Sequence, residues 1–211
     1  KREQVIWIKN TQKAESLKYP WHLFRLFQQS IEKEKTSISK NAQIAKTAVI
    51  DKTYGPVIID SGARVGDFAK ISGPCYIGKD VLVGDYAFVR GSSLEAGSIV
   101  GANSEVVRSI LFEKASIHYG YLGDSILGSE TQVGAGIITA NKRFDRKNIR
   151  VRIKNKTVDT ELKALGIITG HNVQIGIRAN TMPGILLGEN STIYPGLTVD
   201  KNITENEIIK K

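Results

Sequence analysis

Aliphatic residues recur every six positions along most of this chain, and this spacing is the strongest pattern in the sequence. The three runs are Ile38, Ile44 and Ile50; Ile59, Val65, Ile71, Ile77, Val83 and Val89; and Ile175, Thr181, Leu187, Ile193 and Val199. Neither the 3.6-residue period of an α-helix nor the two-residue alternation of a strand produces this spacing. It is typical of a hexapeptide β-helix, in which each repeat forms a short strand and a turn.

Small residues support the same prediction. Glycine directly follows the aliphatic residue at Gly66, Gly78, Gly84, Gly176 and Gly188. Small side chains stand four positions after it, at Ala63, Ala69, Cys75, Ala87 and Ser191. We expect the aliphatic and small side chains to point inward, because a triangular coil has little room near its corners. Three repeats would complete a coil of about 18 residues, and coils would pair like parallel strands about 4.8 Å apart.

Two segments depart from the repeat. Residues 90–122 keep its character but slip by one residue near Leu94, and the phase slips again between Phe112 and Leu127. Residues 139–166 leave it altogether. There Ile149, Val151 and Ile153 alternate with Arg150, Arg152 and Lys154, before a turn at Asn155–Lys156. This alternation predicts a hairpin extruded from the β-helix, and such loops often carry binding groups.

The first 36 residues have a different character. "VIWI" (residues 5–8) is interpreted as the last strand of an absent domain, and the first residue is not Met, so we expect a longer parent polypeptide. Pro20 precedes a predicted linker helix that ends near Lys35, with Leu23, Phe24, Phe27 and Ile31 on one face. His22 on this helix is expected to pack or to lie at the surface. We therefore divide the chain into a linker, residues 1–36, and a β-helix domain, residues 37–211.

Charge and composition narrow the possible partners. The net charge is +9, and residues 142–156 contain eight Lys or Arg and one Asp. Such a segment suits a sugar phosphate, a nucleotide cofactor or nucleic acid, or is simply a solvated loop. Phe144 is its only aromatic residue, so base stacking and nucleic-acid binding are not favoured.

No apolar run reaches the roughly 20 residues of a membrane span, and the lone Cys75 favours a reducing compartment, by default the cytoplasm.

The sequence lacks the residue patterns that metal binding, serine-nucleophile catalysis and phosphate-binding loops require. The histidines His22, His118 and His171 and the cysteine Cys75 show no metal-ligand spacing, so no metal is expected. There is no Ser-His-Asp arrangement and no phosphate-binding glycine loop. Acyl transfer to an amine fits the residues that remain, because a histidine can take the proton of the amine. An amide can polarise the thioester carbonyl, and Lys and Arg can hold phosphates.

The segment "HYGYLGDSILGSETQVGAGIITANKRFDRKN", residues 118–148, resembles the acetyltransferase domain of bifunctional sugar-1-phosphate nucleotidylyltransferases, in the archaeal-type version. "KYPWHLF", "SEVVRSILFE", "DTELKALGIITG" and "IRANTMPGILLG" extend the resemblance over residues 17 to about 203. It implies a left-handed β-helix, a homotrimer with clefts between neighbouring subunits, and an acetyl-CoA co-substrate. It also implies an amino-sugar 1-phosphate acceptor, glucosamine-1-phosphate first and galactosamine-1-phosphate second, in UDP-N-acetylhexosamine biosynthesis.

The resemblance also implies roles for individual residues. His118 would be the general base on the sugar amine, and Asn141 would orient the acetyl group or polarise its carbonyl. The other positions are Arg90, Tyr121 and Lys147, which would contact the acceptor and its phosphate, and Ala135, Ile177 and Pro195, which would contact coenzyme A largely through the backbone. From the residues alone, His118 could be a core histidine, Asn141 a turn residue and Lys147 a solvated charge.

Three departures from the family pattern concern the acceptor sugar more than acetyl transfer. Val107 replaces a Lys, Gln132 replaces an Asn, and the Asn before the key tyrosine is replaced around Gly120. Arg108, beside Val107, could supply the missing charge if it faces the same groove. These departures keep open an alternative function, a trimerising and regulatory module without acetyltransferase activity. Either way, we expect no nucleotidylyltransferase activity from this chain itself.

Overall fold

The structure, a computed structural model, describes residues 17–210, so the strand expected at "VIWI" lies outside the described residues. Its one α-helix is α1 (His22–Ile31). The strands are β1 (Ser37–Ile38), β2 (Gln43–Ile44), β3 (Val49–Asp51), β4 (Val57–Ile59), β5 (Arg64–Val65), β6 (Lys70–Ser72), β7 (Cys75–Ile77), β8 (Leu82–Val83), β9 (Phe88–Arg90), β10 (Ser93–Leu94), β11 (Ile99–Val100), β12 (Glu105–Val107), β13 (Ile110–Leu111), β14 (Ser116–Ile117), β15 (Gly120–Gly123), β16 (Ile126–Leu127), β17 (Gln132–Val133), β18 (Ile137–Thr139), β19 (Arg150–Ile153), β20 (Lys156–Asp159), β21 (Ile167–Thr169), β22 (Gln174–Ile175), β23 (Asn180–Thr181), β24 (Ile185–Leu187), β25 (Thr192–Ile193), β26 (Thr198–Val199) and β27 (Ile208–Ile209).

Three parallel sheets form the walls of a left-handed β-helix, which confirms the predicted fold. Sheet A is ordered β1-β4-β7-β10-β13-β16-β21-β24, and sheet B is ordered β2-β5-β8-β11-β14-β17-β22-β25-β27. Sheet C is ordered β3-β6-β9-β12-β15-β18-β23-β26. Successive strands visit A, B and C in turn, so residues about one coil apart in sequence become hydrogen-bonded neighbours. In sheet A, for example, Leu111 pairs with Leu94 on one side and Leu127 on the other.

From Ile59 onward the aliphatic residues of the six-residue repeat fill the interior of the prism, whereas Ile38, in the first coil, is 41% exposed. Ile59, Ile71, Ile77, Leu111 and Ile117 are at most 1% exposed and belong to one continuous apolar cluster. Their outward neighbours on the same strands face solvent or other elements, as the two-sided geometry of a strand requires. The repeat therefore builds the core as predicted.

The phase slips occur at corners where the coil uses five residues instead of six between inward side chains. Three lie between sheets C and A, from Val89 to Leu94, Val106 to Leu111 and Leu122 to Leu127, and one lies between sheets B and C, from Ile117 to Leu122. The slip near Leu94 was predicted, and so was one slip between Phe112 and Leu127, where the structure has two. The slip from Val106 to Leu111 was not predicted.

A column of buried serines accompanies the shortened corners between sheets C and A. The Ser109 hydroxyl donates to the carbonyl of Val107 at 2.9 Å and accepts the backbone N–H of Ser125 at 3.0 Å. Ser92 and Ser125 make the equivalent pair of bonds one coil away on either side. Because a buried backbone N–H must find an acceptor, these hydroxyls satisfy groups that the tight corner leaves unpaired.

A second apolar cluster covers the outer face of sheet A. The predicted hairpin is present as β19 paired antiparallel with β20, and its turn residues are Lys154 and Asn155, one position earlier than expected. Ile149 and Val151 are at most 1% exposed and pack with Trp21 and with Ile126 from sheet A. The outward-facing Ile110 and Ile168 of sheet A and the side chains Leu23, Phe24 and Phe27 of α1 complete this cluster. The extruded segment is therefore anchored against the prism.

The linker helix is shorter than predicted. It ends at Ile31, which is buried, rather than near Lys35. His22 makes edge-to-face ring contacts with Tyr19 and Trp21, at centroid distances of 5.6 and 6.2 Å, in keeping with the packing role expected for it. Within residues 17–210, no helix has the length and apolar character that crossing a bilayer requires.

Cys75 lies in the core, and this position predicts an unreactive thiol. Burial raises the pKa of Cys75 to about 11, so at neutral pH only about one thiol in ten thousand is the nucleophilic thiolate. We expect iodoacetamide to leave the native protein unmodified over a period in which the urea-unfolded chain is fully alkylated, as read by intact mass spectrometry. Equal rates of alkylation for native and unfolded protein would contradict the buried placement.

Candidate functional site

His118 projects from a column of glycines at the corner between sheets B and C. Its backbone N–H donates to Val133 at 2.9 Å, and in the coils on either side the same register position is occupied by Gly101 and Gly134. A Cβ atom on Gly101 would lie 1.8 Å from the His118 carbonyl oxygen, so the coils approach too closely there for any side chain. The imidazole consequently has no side-chain neighbours in this column and is exposed to solvent.

The imidazole stands at the edge of a groove along sheet B, which we call the sheet B groove. This groove has a volume of about 670 Å³, and its lining includes His118, Ala135, Ile177 and Pro195. Its polar lining comes from Ser116, Gln132, Gln174 and Thr192, and its apolar lining includes Ile99 and Tyr194. The structure thus brings the predicted base and the three predicted coenzyme A positions together. Gln132, identified only as a departure from the family pattern, also lines this groove.

The predicted acceptor residues Arg90 and Tyr121 lie on the adjoining wall, the outer surface of sheet C, which we call the sheet C face. Tyr121 points outward from β15, because its neighbour Leu122 points into the core. The Tyr121 ring folds back over Gly123 on the same strand, where an added Cβ would lie 2.6 Å from the phenolic oxygen. The Asn141 Nδ2 donates to this oxygen at 3.2 Å. Gly123 therefore provides the space in which Tyr121 and Asn141 meet.

Arg108 is held by an aspartate for which the sequence had suggested no role. Arg108 Nε and Nη2 donate to the two carboxylate oxygens of Asp124 at 2.6 and 2.7 Å, a bidentate ion pair. The Asp124 side chain is 9% exposed, and its hydrogen bonds raise the pKa of Arg108 above the ordinary value. Asn141 Nδ2 also donates to Asp124, at 2.5 Å. The motif that contains His118 and Tyr121 also contains Asp124. Its ion-pair partner Arg108 lies 16 positions earlier in the chain, and the two meet only because successive coils stack.

Arg90 also has a carboxylate partner. Its Nη2 donates to Glu105 at 3.1 Å, and its guanidinium lies over the Phe88 ring, 5.5 Å from the centroid. Both side chains of this ion pair are about 40% exposed, so water and ligands can reach them. Val107, which stands where relatives have Lys, is fully buried. The two arginines on the sheet C face are therefore balanced by two acids.

Lys147 lies apart from both groups, in the loop before the hairpin. It lines a separate cavity of about 380 Å³ with Arg143, Arg150 and Lys163. Asp145 and Asp159 contribute the acidic part of this lining. Two hydrogen bonds from Arg143 hold the pKa of Asp145 well below its usual range. Within one chain, Lys147 is not brought to the His118 corner.

His118 stands where the sheet B groove and the sheet C face meet, whereas Asn141 lies at the far edge of sheet C. The strand β15 separates the His118 corner from the Asn141 corner, and a four-residue strand spans roughly 10 Å. The imidazole and the carboxamide are consequently not in contact within one chain. The arrangement offers an elongated groove on one wall, a polar face on the next, and a titratable imidazole at their junction.

Comparisons with known proteins agree with this architecture. The family model described as the GMPPB C-terminal domain matches residues 53–158. A bifunctional protein GlmU of Methanococcus aeolicus is 37% identical over 194 residues, which cover 91% of this chain and 46% of that protein. A bifunctional sugar-1-phosphate nucleotidylyltransferase/acetyltransferase of Sulfurisphaera tokodaii is 36% identical over 112 residues, 53% of this chain and 27% of that protein.

A shorter relative is matched over most of its length. The uncharacterised acetyltransferase YaiX of Escherichia coli K12 is 32% identical over 166 residues, which cover 78% of this chain and 72% of that protein. The chain spans less than half the length of the two bifunctional relatives. The chain belongs to the GMPPB C-terminal domain family, and over 91% of its length it is similar to a part of the bifunctional protein GlmU.

Proposed function

We propose that this chain is an acetyl-CoA-dependent N-acetyltransferase that acts on an amino-sugar 1-phosphate, with glucosamine-1-phosphate as the first candidate and galactosamine-1-phosphate as the second. The observation that carries the proposal is the exposed His118 at the junction of the sheet B groove and the sheet C face. The bifunctional relatives, one of which is described as a sugar-1-phosphate nucleotidylyltransferase/acetyltransferase, support the same class of reaction. The product would serve UDP-N-acetylhexosamine biosynthesis.

The geometry suits one substrate on each wall. Coenzyme A is an elongated molecule and fits the length of the sheet B groove, where Ala135, Ile177 and Pro195 lie on successive coils. The acceptor sugar then lies on the sheet C face, near Tyr121 and Arg90. In this arrangement the amine and the thioester meet at the corner that carries His118.

His118 would act as the general base. The amine nitrogen attacks the thioester carbonyl, the imidazole takes the proton that nitrogen loses, and the C–S bond breaks as the amide forms. The proton then passes to the departing coenzyme A sulfur, which leaves as the thiol. Histidine suits this exchange because its ordinary pKa lies close to neutrality, and general-base catalysis of this kind contributes about 10²- to 10⁴-fold.

The phosphate of the acceptor would compete with the carboxylates of Glu105 and Asp124 for the guanidinium groups of Arg90 and Arg108. Arg90 can exchange Glu105 for a phosphate because both side chains are about 40% exposed and the pair is water-accessible. Exposed ion pairs of this kind contribute only about 0–1 kcal/mol to stability, so breaking the Arg90–Glu105 pair costs little free energy. Arg108 is tied more firmly to Asp124. We therefore propose Arg90, rather than Arg108, as the principal phosphate ligand on this face.

We further propose that the active assembly is a homotrimer in the cytoplasm. Exposed apolar side chains lie beside the candidate site, including Tyr119 at 46%, Ile138 at 55% and Met182 at 41% exposure, and burial of such groups favours association. A neighbouring subunit would bring its own basic loop and Asn141 towards a His118 corner. Lys147 would then hold a phosphate across the interface.

Coenzyme A release tests the proposed function directly. We expect purified chain, acetyl-CoA and glucosamine-1-phosphate to release free thiol, with galactosamine-1-phosphate as the second substrate and glucose-1-phosphate, which lacks the amine, as the matched control. We expect no pyrophosphate release from a nucleoside triphosphate and a sugar 1-phosphate. Absence of thiol release with every amino-sugar 1-phosphate would contradict the proposal.

The second candidate function is a trimerising and regulatory β-helix without acetyltransferase activity. It is favoured by the two arginine–carboxylate pairs on the sheet C face and by the buried Val107 in place of a Lys. Under this alternative the sheet B groove binds no coenzyme A. Calorimetric titration of coenzyme A into the protein separates the two, because only the enzyme needs an affinity for it.

A further inference from the structure

Asp124 is the centre of a hydrogen-bonded cluster at the edge of the sheet C face. Arg108, Asp124 and Asn141 follow the neighbouring strands β12, β15 and β18, so they stack at one corner of the prism. Asp124 Oδ1 accepts from Arg108 Nε at 2.6 Å, and Oδ2 accepts from Arg108 Nη2 at 2.7 Å and from Asn141 Nδ2 at 2.5 Å. Both carboxylate oxygens are therefore engaged.

This cluster dictates which way the Asn141 carboxamide faces. A carboxylate paired with an arginine is ionised and can only accept hydrogen bonds, so the atom of Asn141 that approaches it must be the amide nitrogen. The second N–H of Nδ2 is directed to the Tyr121 hydroxyl oxygen at 3.2 Å. Both N–H groups of Asn141 are thereby held by the protein.

The opposite atom of the carboxamide is turned away from the cluster. Among residues 17–210, the Asn141 side-chain oxygen Oδ1 makes no hydrogen bond, and the residue is only partly buried. An ordered carbonyl oxygen that lies in a candidate site can accept an N–H from a ligand. Asn141 thus offers a ligand an acceptor, whereas polarisation of a carbonyl would require a free donor.

We propose that Asp124 is a positioning residue for acetyl transfer: it fixes the Asn141 carboxamide so that Oδ1 receives an N–H of a bound substrate. The inference rests on the proposed function and changes the role expected for Asn141. Two substrates carry such a donor: the amino group of the acceptor sugar and the amide N–H groups of the pantetheine arm of coenzyme A. Arg108 serves here to hold Asp124 in place through its two hydrogen bonds.

A double-mutant cycle tests the proposal. Steady-state kinetics with acetyl-CoA and glucosamine-1-phosphate are compared for wild type, Asp124→Asn, Asn141→Ala and the double variant. We expect each single substitution to lower kcat/KM by about 10- to 100-fold. The double variant should fall no further than Asn141→Ala alone, because residues that act through one contact are not additive. Losses that multiply, or wild-type kinetics for Asp124→Asn, overturn the inference.

An exchange variant separates an acceptor role from a donor role. Asp124→Asn combined with Asn141→Asp keeps the net charge and places only acceptor oxygens at position 141. We expect it to recover most of the activity that Asp124→Asn loses, while activity as low as that of Asn141→Ala would show that position 141 must donate. This variant also carries the test if Asp124→Asn alone does not fold.

A matched control and two readouts complete the experiment. Asp60→Asn removes a carboxylate that accepts from the Tyr76 hydroxyl at 2.7 Å, on sheet A, and should leave the kinetics unchanged. A rise confined to the KM of the amino sugar identifies its amine as the donor, and a rise confined to the KM of acetyl-CoA identifies pantetheine.

Failure of the proposed function gives a different result from failure of this inference. If wild type releases no thiol, the proposed function falls, and calorimetric binding of glucosamine-1-phosphate and coenzyme A replaces the kinetic readout. Equal affinities for wild type and Asp124→Asn, or no binding to wild type, then overturn the positioning role as well. A weaker affinity of Asp124→Asn for one of the two ligands supports it.

Discussion

Replacement of His118 by Ala is expected to lower kcat/KM for acetyl transfer by about 10²- to 10⁴-fold, the contribution of a positioned general base. The imidazole is exposed and its column neighbours are glycines, so its removal leaves no cavity and should leave the melting temperature almost unchanged. Thiol release and thermal unfolding measured on the same preparation check both parts of this expectation.

His171→Ala is the matched control for this substitution. His171 is likewise exposed, and it lies 3.7 Å from Glu130 at a coil corner outside the sheet B groove. We expect its activity to equal that of wild type. If His118→Ala retained full activity, or if both variants lost activity to the same extent, the assignment of His118 as the base would have to be abandoned.

Leu111→Ala is expected to have the largest effect on stability. Leu111 is fully buried in the prism, in register with Leu94 and Leu127 of the adjacent coils. Truncation of a buried leucine lowers the free energy of unfolding by about 2–5 kcal/mol. In a solenoid each coil is stabilised by its two neighbours, so a defect in a central coil weakens the coupling between the N-terminal and C-terminal halves. Urea unfolding followed by circular dichroism measures the shift in midpoint.

The control for Leu111→Ala is Val49→Ala, at a strand position that is 50% exposed. A substitution at such a position usually changes the free energy of unfolding by no more than about 0.5 kcal/mol. Similar unfolding midpoints for the two variants would show that inward-facing repeat positions do not dominate the stability of this fold.

The fold could be predicted because it is encoded by a local period. Each inward aliphatic residue, such as Ile71 or Val83, lies six positions from the next, and only the β-helix satisfies that spacing over many repeats. The corners were harder to predict. A five-residue corner such as Val106 to Leu111 depends on Ser109, whose hydroxyl replaces a backbone partner, and the sequence does not distinguish this serine from a surface serine.

The candidate site could be predicted only in part. His118, Ala135 and Ile177 share the sheet B groove, as their motif positions implied, because consecutive coils stack in a fixed register. The partners of Arg90 and Arg108 could not be predicted, because side-chain pairing across coils depends on where each corner gains or loses a residue. The placement of Lys147 could not be predicted either, since residues 142–148 follow no repeat.

The apolar cluster on the outside of sheet A has a consequence for how copies of this chain can meet. Helix α1 and the hairpin cover that wall over its middle coils through Trp21, Ile149 and Val151, so another subunit would not contact the strands of sheet A directly there. In the proposed homotrimer, contact between subunits would then involve the two remaining walls, which carry the groove and the polar face. Each ligand would then be bound in a crevice formed by two subunits, so formation of the trimer would also enclose the substrates.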